Sequence, residues 1–280
     1  MLVDYLRLLR PKHWIKNLLV FLPLIFSLNV FSKLSVFKAG LAFLAFCLIS
    51  SAVYIFNDFF DRKKDIKKNR PFVQGKLNIK YAFLISIIFV VCSLIIACWH
   101  DVSLGLIIFA YLIFNIFYTL IFKNFFLLDV LFIAFGFVLR ILAGAIAVRV
   151  EISVWIICIV FFAAVLIALS KRKLESANSN YFFRSIRYQD KILDYSIIAV
   201  FLATIILYFF WSINPLIMLK FQTDKLFFTT PLVIVGLLRY LQNVYLKKRF
   251  SDPVEIIYKD AILLTIFLIW LMSIIIIIYH

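Results

Sequence analysis

The chain has 280 residues, of which 65% are hydrophobic and only 16% charged, with 33 phenylalanines and a formal net charge of +16. A mean hydropathy of +1.07 and several apolar runs of about 20 residues, each able to cross roughly 30 Å of hydrocarbon, exclude a soluble globular domain. Long unbroken runs such as 262–278 also exclude a membrane β-barrel, whose strands alternate in hydropathy over short segments.

In chain order the runs predict nine transmembrane helices, at 14–31, 36–57, 81–99, 102–121, 126–148, 152–170, 195–212, 226–246 and 260–279, in an all-α polytopic bundle. The first has basic residues ahead of it, as a signal peptide does. It lacks a small-x-small cleavage site and carries Pro23, so a retained helix is expected. With the N-terminus inside, the inner segments hold 23 of the 30 basic residues and the outer ones five, Lys33, Lys38, Arg149, Lys220 and Lys225. That asymmetry predicts an N-in, C-out topology in the cytoplasmic membrane. The polar stretches 58–80, 171–194 and 247–259 are each too short to fold alone, which leaves one membrane domain, 1–280, with its chemistry at the inner face. The basic residues flank spans rather than a soluble module, so they read as loop retention and attraction to the anionic lipid bilayer, with no nucleic acid partner. Cys47, Cys92, Cys98 and Cys158 fall in apolar segments without CxxC spacing and read as small core residues.

Four groups of polar residues break the pattern. At the first span, "RPKHWIKNLL" sets Lys12 and Lys16 at i, i+4 with Asn17 alongside, and Lys16 and Asn17 can donate to phosphate oxygens at the membrane edge. After span two comes "IFNDFFDRKKD". Continued as a helix, it places Asn57, Asp61 and Asp65 on one face at i, i+4 and i+8, with Asp58 one position round. Carboxylates at the edge of hydrocarbon are costly, and hard oxygens joined by an amide suit Mg²⁺ that keeps water and a substrate phosphate in its shell. The bland alternative is a solvated helix end, with Lys64 and Lys68 pairing Asp61 and Asp65.

In span five, "LLDVLFIAFGFVLRILAGA" sets Asp129 and Arg140 three turns apart on nearly one face, beside Gly136 and Gly144. Such a face lines either a polar cavity or a close helix contact. At the end of span six, "LSKRKLES" gathers Lys171, Arg172 and Glu175, a phosphate-binding cluster or simply the basic end that topology requires.

The N-D-x-x-D-x-x-x-D after span two, followed by Arg70, Pro71 and Gly75, resembles the UbiA superfamily of intramembrane prenyltransferases. The stretches "RPKHWIKNLLVF", "NIFYTLIFKNFFLLDVLFIAFGFVLRILAGA", "SKRKLE", "LLRYL" and "DPVEIIYKD" are similar to its decaprenyl-phosphate phosphoribosyltransferase branch. One departure is plain: only "IKKN" separates Asp65 from Arg70, where the family usually has a longer spacing with a His-Pro. The resemblance implies transfer of phosphoribosyl from 5-phosphoribosyl 1-diphosphate to a polyprenyl phosphate, with release of diphosphate.

It further implies that Asn57, Asp58, Asp61 and Asp65 hold Mg²⁺ at the leaving group, Asp58 and Asp61 being catalytic. Lys16, Asn17, Arg70, Tyr118, Lys123, Asp129, Arg140, Lys171, Arg172 and Glu175 then bind substrate. A phosphate monoester is already ionised near neutral pH, so no catalytic base is assigned. Two other functions fit parts of the pattern: an aromatic prenyltransferase of the same superfamily, and a transporter. The first expects a second aspartate-rich motif where Lys171, Arg172 and Glu175 stand, and the second expects inverted repeats that the sequence does not display. A homo-oligomer is open to such a bundle.

Overall fold

The computed structural model describes residues 7–62, 78–177, 189–246 and 252–280. Every regular element among them is helical, and eight helices are long and apolar enough to cross a membrane. The chain forms two compact units, Met1–Ile152 and Ser153–His280.

The first unit is built on α2 (Lys33–Asp61), which follows the short α1 (Leu22–Phe26) and is joined by α3 (Ile79–His100), α4 (Val102–Leu120) and α5 (Phe126–Val148). At 29 residues α2 is about 43 Å long, more than the hydrocarbon thickness, so its polar C-terminal turns need not lie in lipid. Small residues on its buried stripe, Ala39, Ala42 and Ala45, let neighbours approach closely. The α3 serines exploit this: Ser86 Oγ donates to the Ala52 carbonyl at 3.2 Å and Ser93 Oγ to the Ala45 carbonyl at 2.8 Å. Phe46, Ile49, Leu104, Ile108 and Ala143 fill the core between α2, α4 and α5.

The first predicted span differs from expectation. Instead of a helix over 14–31, a 3₁₀ segment runs from Pro11 to Phe21 and passes into α1. Pro23 has no N–H to donate back to Leu19, so one continuous α-helix through this point would lose a bond. The segment runs antiparallel along α2. Leu8 packs with Ile55, Trp14 Nε1 donates to Ser51 Oγ at 3.0 Å, Asn17 Nδ2 reaches Ser50 Oγ at 3.2 Å, and Leu24 packs with Ala39. Eleven residues at 2.0 Å rise and five at 1.5 Å cover roughly 30 Å, so the tighter helix spans with fewer residues what the hydropathy window assigned to eighteen. Close approach to α5 depends on Gly144, where a Cβ would overlap the Val20 carbonyl.

The second unit comprises α6 (Val154–Ala177), α7 (Gln189–Ser212), α8 (Pro215–Phe221), a 3₁₀ turn (Lys225–Thr229) running into α9 (Thr230–Tyr245), α10 (Pro253–Lys259) and α11 (Ala261–Tyr279). The short α8 and α10 were not expected. Each starts with an N-cap followed by proline: Asn214 accepts from Leu216 N ahead of Pro215, and Asp252 from Val254 N ahead of Pro253. Asp260 ties α11 to α9. It caps α11 through Leu263 N at 2.8 Å, takes Arg239 of α9 at 2.9 and 3.1 Å, and takes Asn243 Nδ2 at 3.1 Å. Burial alone would raise its carboxyl, but Arg239, the Leu263 N–H and Asn243 outweigh it and hold the pKa at about 2. Of the cysteines only Cys47 is buried, while Cys92 and Cys98 are exposed, correcting their reading as core residues.

Candidate functional site

Helix α2 ends at Asp61 and Arg62 is its C-cap. Asn57 and Asp61 therefore share a face at i, i+4, and Asp58 lies next to Asn57. Asp65 and Arg70, and the Lys64 and Lys68 of the alternative pairing, lie outside the described residues. Asp58 is 3% exposed and Asp61 19%, and like charges so placed require cations. Those cations come from far along the chain. Arg10 Nη2 meets Asp58 Oδ1 at 2.5 Å, and Lys123 Nζ meets Asp61 Oδ1 at 2.5 Å from the 3₁₀ turn Phe122–Asn124 between α4 and α5. Asn57 Oδ1 is buried and has no hydrogen-bond partner among the described residues.

Close to Lys123 in sequence, Tyr118 at the end of α4 donates to the buried Asp129 of α5 at 2.7 Å. The four groups Asp61–Lys123 and Tyr118–Asp129 thus bracket the α4–α5 connection. Arg140 lies about three turns further along α5 and bonds elsewhere. Its Nε donates to Asn17 Oδ1 at 2.7 Å, Nη1 to the Gly136 carbonyl at 2.6 Å and Nη2 to Tyr111 OH at 2.9 Å. Its guanidinium also sits 5.0 Å from the Tyr111 ring centroid and 5.6 Å from that of Phe46.

Asn17 is fully buried, with its amide shared between Arg140, Ser50 and Cys47. Asn17 and Arg140 therefore lock the 3₁₀ segment against α2 and α5, the close-contact reading of this face rather than the open-cavity one. Lys16 stays half-buried with Nζ 5.9 Å from the Phe137 ring. Because a 3₁₀ helix turns every three residues, Lys12 and Lys16 do not share the face that α-helical spacing predicted.

In the second unit the last turns of α6 carry the other motif. Arg172 Nη1 meets Glu175 Oε2 at 2.6 Å, both about one-fifth exposed, and Lys171 is half-buried. Lys173 anchors this end: its Nζ lies 2.8 Å from Asp194 Oδ1 of α7, which also accepts from Tyr245 OH of α9 at 2.8 Å. Arg10, Tyr111, Lys173 and Asp194 were not picked out from the sequence. Arg10 had a signal in the "RPKHW" stretch, whereas Asp194 stands in a run of mixed charge with none.

Among the described residues no group of three His, Cys, Asp or Glu side chains forms a metal cluster. The donor set at the end of α2 nevertheless fits Mg²⁺: two carboxylates, and a buried amide oxygen with no partner among the described residues. Mg²⁺ is commonly held by one or two carboxylates and completes its shell with water and phosphate.

The profile of the UbiA prenyltransferase family matches residues 18–255. A decaprenyl-phosphate phosphoribosyltransferase of Mycolicibacterium smegmatis is 27% identical in an alignment of 290 positions that covers 95% of this chain and 89% of that protein. One from Corynebacterium glutamicum is 30% identical over 178 residues, covering 61% of this chain and 54% of the relative. Among solved structures, a UbiA homologue from Archaeoglobus fulgidus bound to DMAPP and Mg²⁺ shares the fold, with a TM-score of 0.72 at 21% identity over 97% of this chain and 99% of that one.

Proposed function

This chain belongs to the UbiA prenyltransferase family, and from that premise we propose that it transfers the 5-phosphoribosyl group of phosphoribosyl diphosphate to a polyprenyl phosphate and releases diphosphate. The observation that carries the choice is the cationic second motif, Lys171 and Arg172 with Glu175 bonded to Arg172. An enzyme that alkylates an aromatic acid needs no such cations there, whereas a phosphorylated sugar donor does. The named relatives in Mycolicibacterium smegmatis and Corynebacterium glutamicum point the same way.

In this reaction the bond from ribose C1 to the diphosphate oxygen breaks and one from C1 to the lipid phosphate oxygen forms, through an oxocarbenium-like state. Asn57, Asp58 and Asp61, with Asp65, would hold Mg²⁺, which supplies charge stabilisation to the departing diphosphate. Lys123 and Lys16 are donors for phosphate oxygens, and so are Lys171 and Arg172, which Glu175 orients. Tyr118 fixes Asp129 beside the α4–α5 turn, where the pair can receive a ribose hydroxyl. The lipid phosphate attacks as its anion, so orientation rather than proton removal is what these side chains provide.

The 3₁₀ segment and α1 make the first of nine crossings in this proposal. The basic loops lie in the cytoplasm, and the aspartate motif opens to that side of the membrane. The test is diphosphate release by purified protein. It should require Mg²⁺, phosphoribosyl diphosphate and a polyprenyl phosphate together, and Asp58→Asn and Asp61→Asn should abolish it while leaving the protein folded. Full release by either variant, or in excess chelator, overturns the metal assignment.

A further inference from the structure

Arg10 stands in a conformation that few arginines adopt. Its φ of 50° and ψ of 55° are left-handed, and it precedes Pro11, a position where steric contact with the proline ring favours extended backbone. Such a residue persists only where its surroundings over-determine it. Three contacts do so: the Arg10 N–H donates to the Arg7 carbonyl at 3.2 Å, its carbonyl accepts from His13 N at 2.9 Å, and Ser51 Oγ pins the preceding Leu9 carbonyl at 2.9 Å. The product of this strain is the placement of the guanidinium, 5.1 Å from the Tyr54 ring centroid and in contact with buried Asp58. One position before Asp58, the Asn57 Oδ1 atom has no partner among the described residues.

We propose that Arg10 is the resident counter-ion of Asp58, exchanged for the divalent cation when the metal loads and thereby released to take a phosphate oxygen of the diphosphate. The inference rests on the metal part of the function proposed above and is independent of which group is transferred. A nearly buried carboxylate needs a positive partner before the metal arrives, and a guanidinium can hold either a carboxylate or a phosphate with the same fork of N–H groups. Metal and guanidinium then compete for one carboxylate, so each weakens the other's hold on it, while metal-bound diphosphate recruits the freed guanidinium. The exchange does not unseat the 3₁₀ segment: Ser51 and His13 hold the backbone on either side of Arg10, and rotation of its long side chain is enough to carry the guanidinium from carboxylate to phosphate.

Mn²⁺ binding to the purified full-length protein, read from the free Mn²⁺ electron paramagnetic resonance signal without donor or lipid, tests this. Arg10→Gln should bind Mn²⁺ about tenfold more tightly than wild type, the equivalent of one charge-assisted bond no longer opposing the metal. Arg10→Lys, which keeps the charge but not the fork, should fall between the two. Inorganic pyrophosphate should tighten Mn²⁺ binding in the wild type more than in Arg10→Gln. Equal or weaker Mn²⁺ binding by Arg10→Gln overturns the exchange and leaves Arg10 a structural clasp.

Should Arg10→Gln fail to fold without metal, the thermal midpoint of Arg10→Lys must rise further on adding Mn²⁺ than that of the wild type, and an equal rise overturns the proposal. Absence of Mn²⁺ binding in the wild type removes the metal reading itself. Binding that ignores Arg10 removes only this inference.

Discussion

Two glycines on long helices predict opposite responses to the same substitution. At Gly40 on α2 no described atom lies within 4 Å of where an added methyl would stand, so Gly40→Ala should bring only the helix-propensity gain, up to about 1 kcal/mol. Gly144 on α5 offers the same gain, but its methyl would overlap the Val20 carbonyl and come within 3.2 Å of Pro23 Cδ. The obstruction is backbone, which cannot rotate away as a side chain can. Overpacking of this kind costs about 1–3 kcal/mol, and a displaced backbone lies at the upper end, so Gly144→Ala should be net destabilising by about 1–2 kcal/mol.

The assay is thermal unfolding in detergent, comparing both variants with wild type on one preparation. Because the contact seats the 3₁₀ segment that carries Lys16 and follows Arg10, Gly144→Ala should also lose activity, while Gly40→Ala should keep it. A Gly144→Ala protein as stable as Gly40→Ala would refute the close packing of this segment on α5.

Other expectations follow from single contacts. Replacing Arg172 by Lys keeps the charge but removes the planar fork, and should lower the efficiency with phosphoribosyl diphosphate about 10- to 150-fold, measured as kcat/KM; an unchanged value reduces Arg172 to a topology charge. In a variant without native cysteines, a cysteine at position 179, outside the described residues, should resist impermeant thiol reagents in intact cells, whereas one at Thr223 should react, and the reverse pattern inverts the topology. Asp260 has a depressed pKa, so its contribution is complete above the ordinary carboxylate range near pH 4 and is lost as pH falls towards about 2. Wild type should lose about 2 kcal/mol more than Asp260→Asn between neutral and acid pH, as thermal midpoints of the two proteins will report.

The parts of the fold that depend on local sequence were legible. The run 126–148 matches α5 end for end, and Asn57, Asp58 and Asp61 do fall on the last turns of one helix. Periodicity and hydropathy carry such information because a span must satisfy its own backbone. Partners were not legible, since Arg10 with Asp58 and Lys123 with Asp61 are contacts across 48 and 62 residues. Sequence offered near neighbours such as Lys64 instead. Nor could hydropathy distinguish a 3₁₀ helix from an α-helix in Pro11–Phe21, because the mean over an apolar run carries neither the period nor the rise in which the two differ. The intramembrane pair Asp129 and Arg140 was singled out by cost alone; the structure divides them, giving one to Tyr118 and the other to Asn17, Gly136 and Tyr111.

The identity of the transferred group is open to direct measurement. Membranes containing this protein, incubated with Mg²⁺, radiolabelled phosphoribosyl diphosphate and a series of polyprenyl phosphates, should move label into the organic-extractable lipid with one diphosphate released per lipid product, and Asp58→Asn membranes should not. Label that stays in the aqueous phase, while a polyprenyl diphosphate is consumed to alkylate an aromatic acid, would contradict the phosphoribosyl assignment.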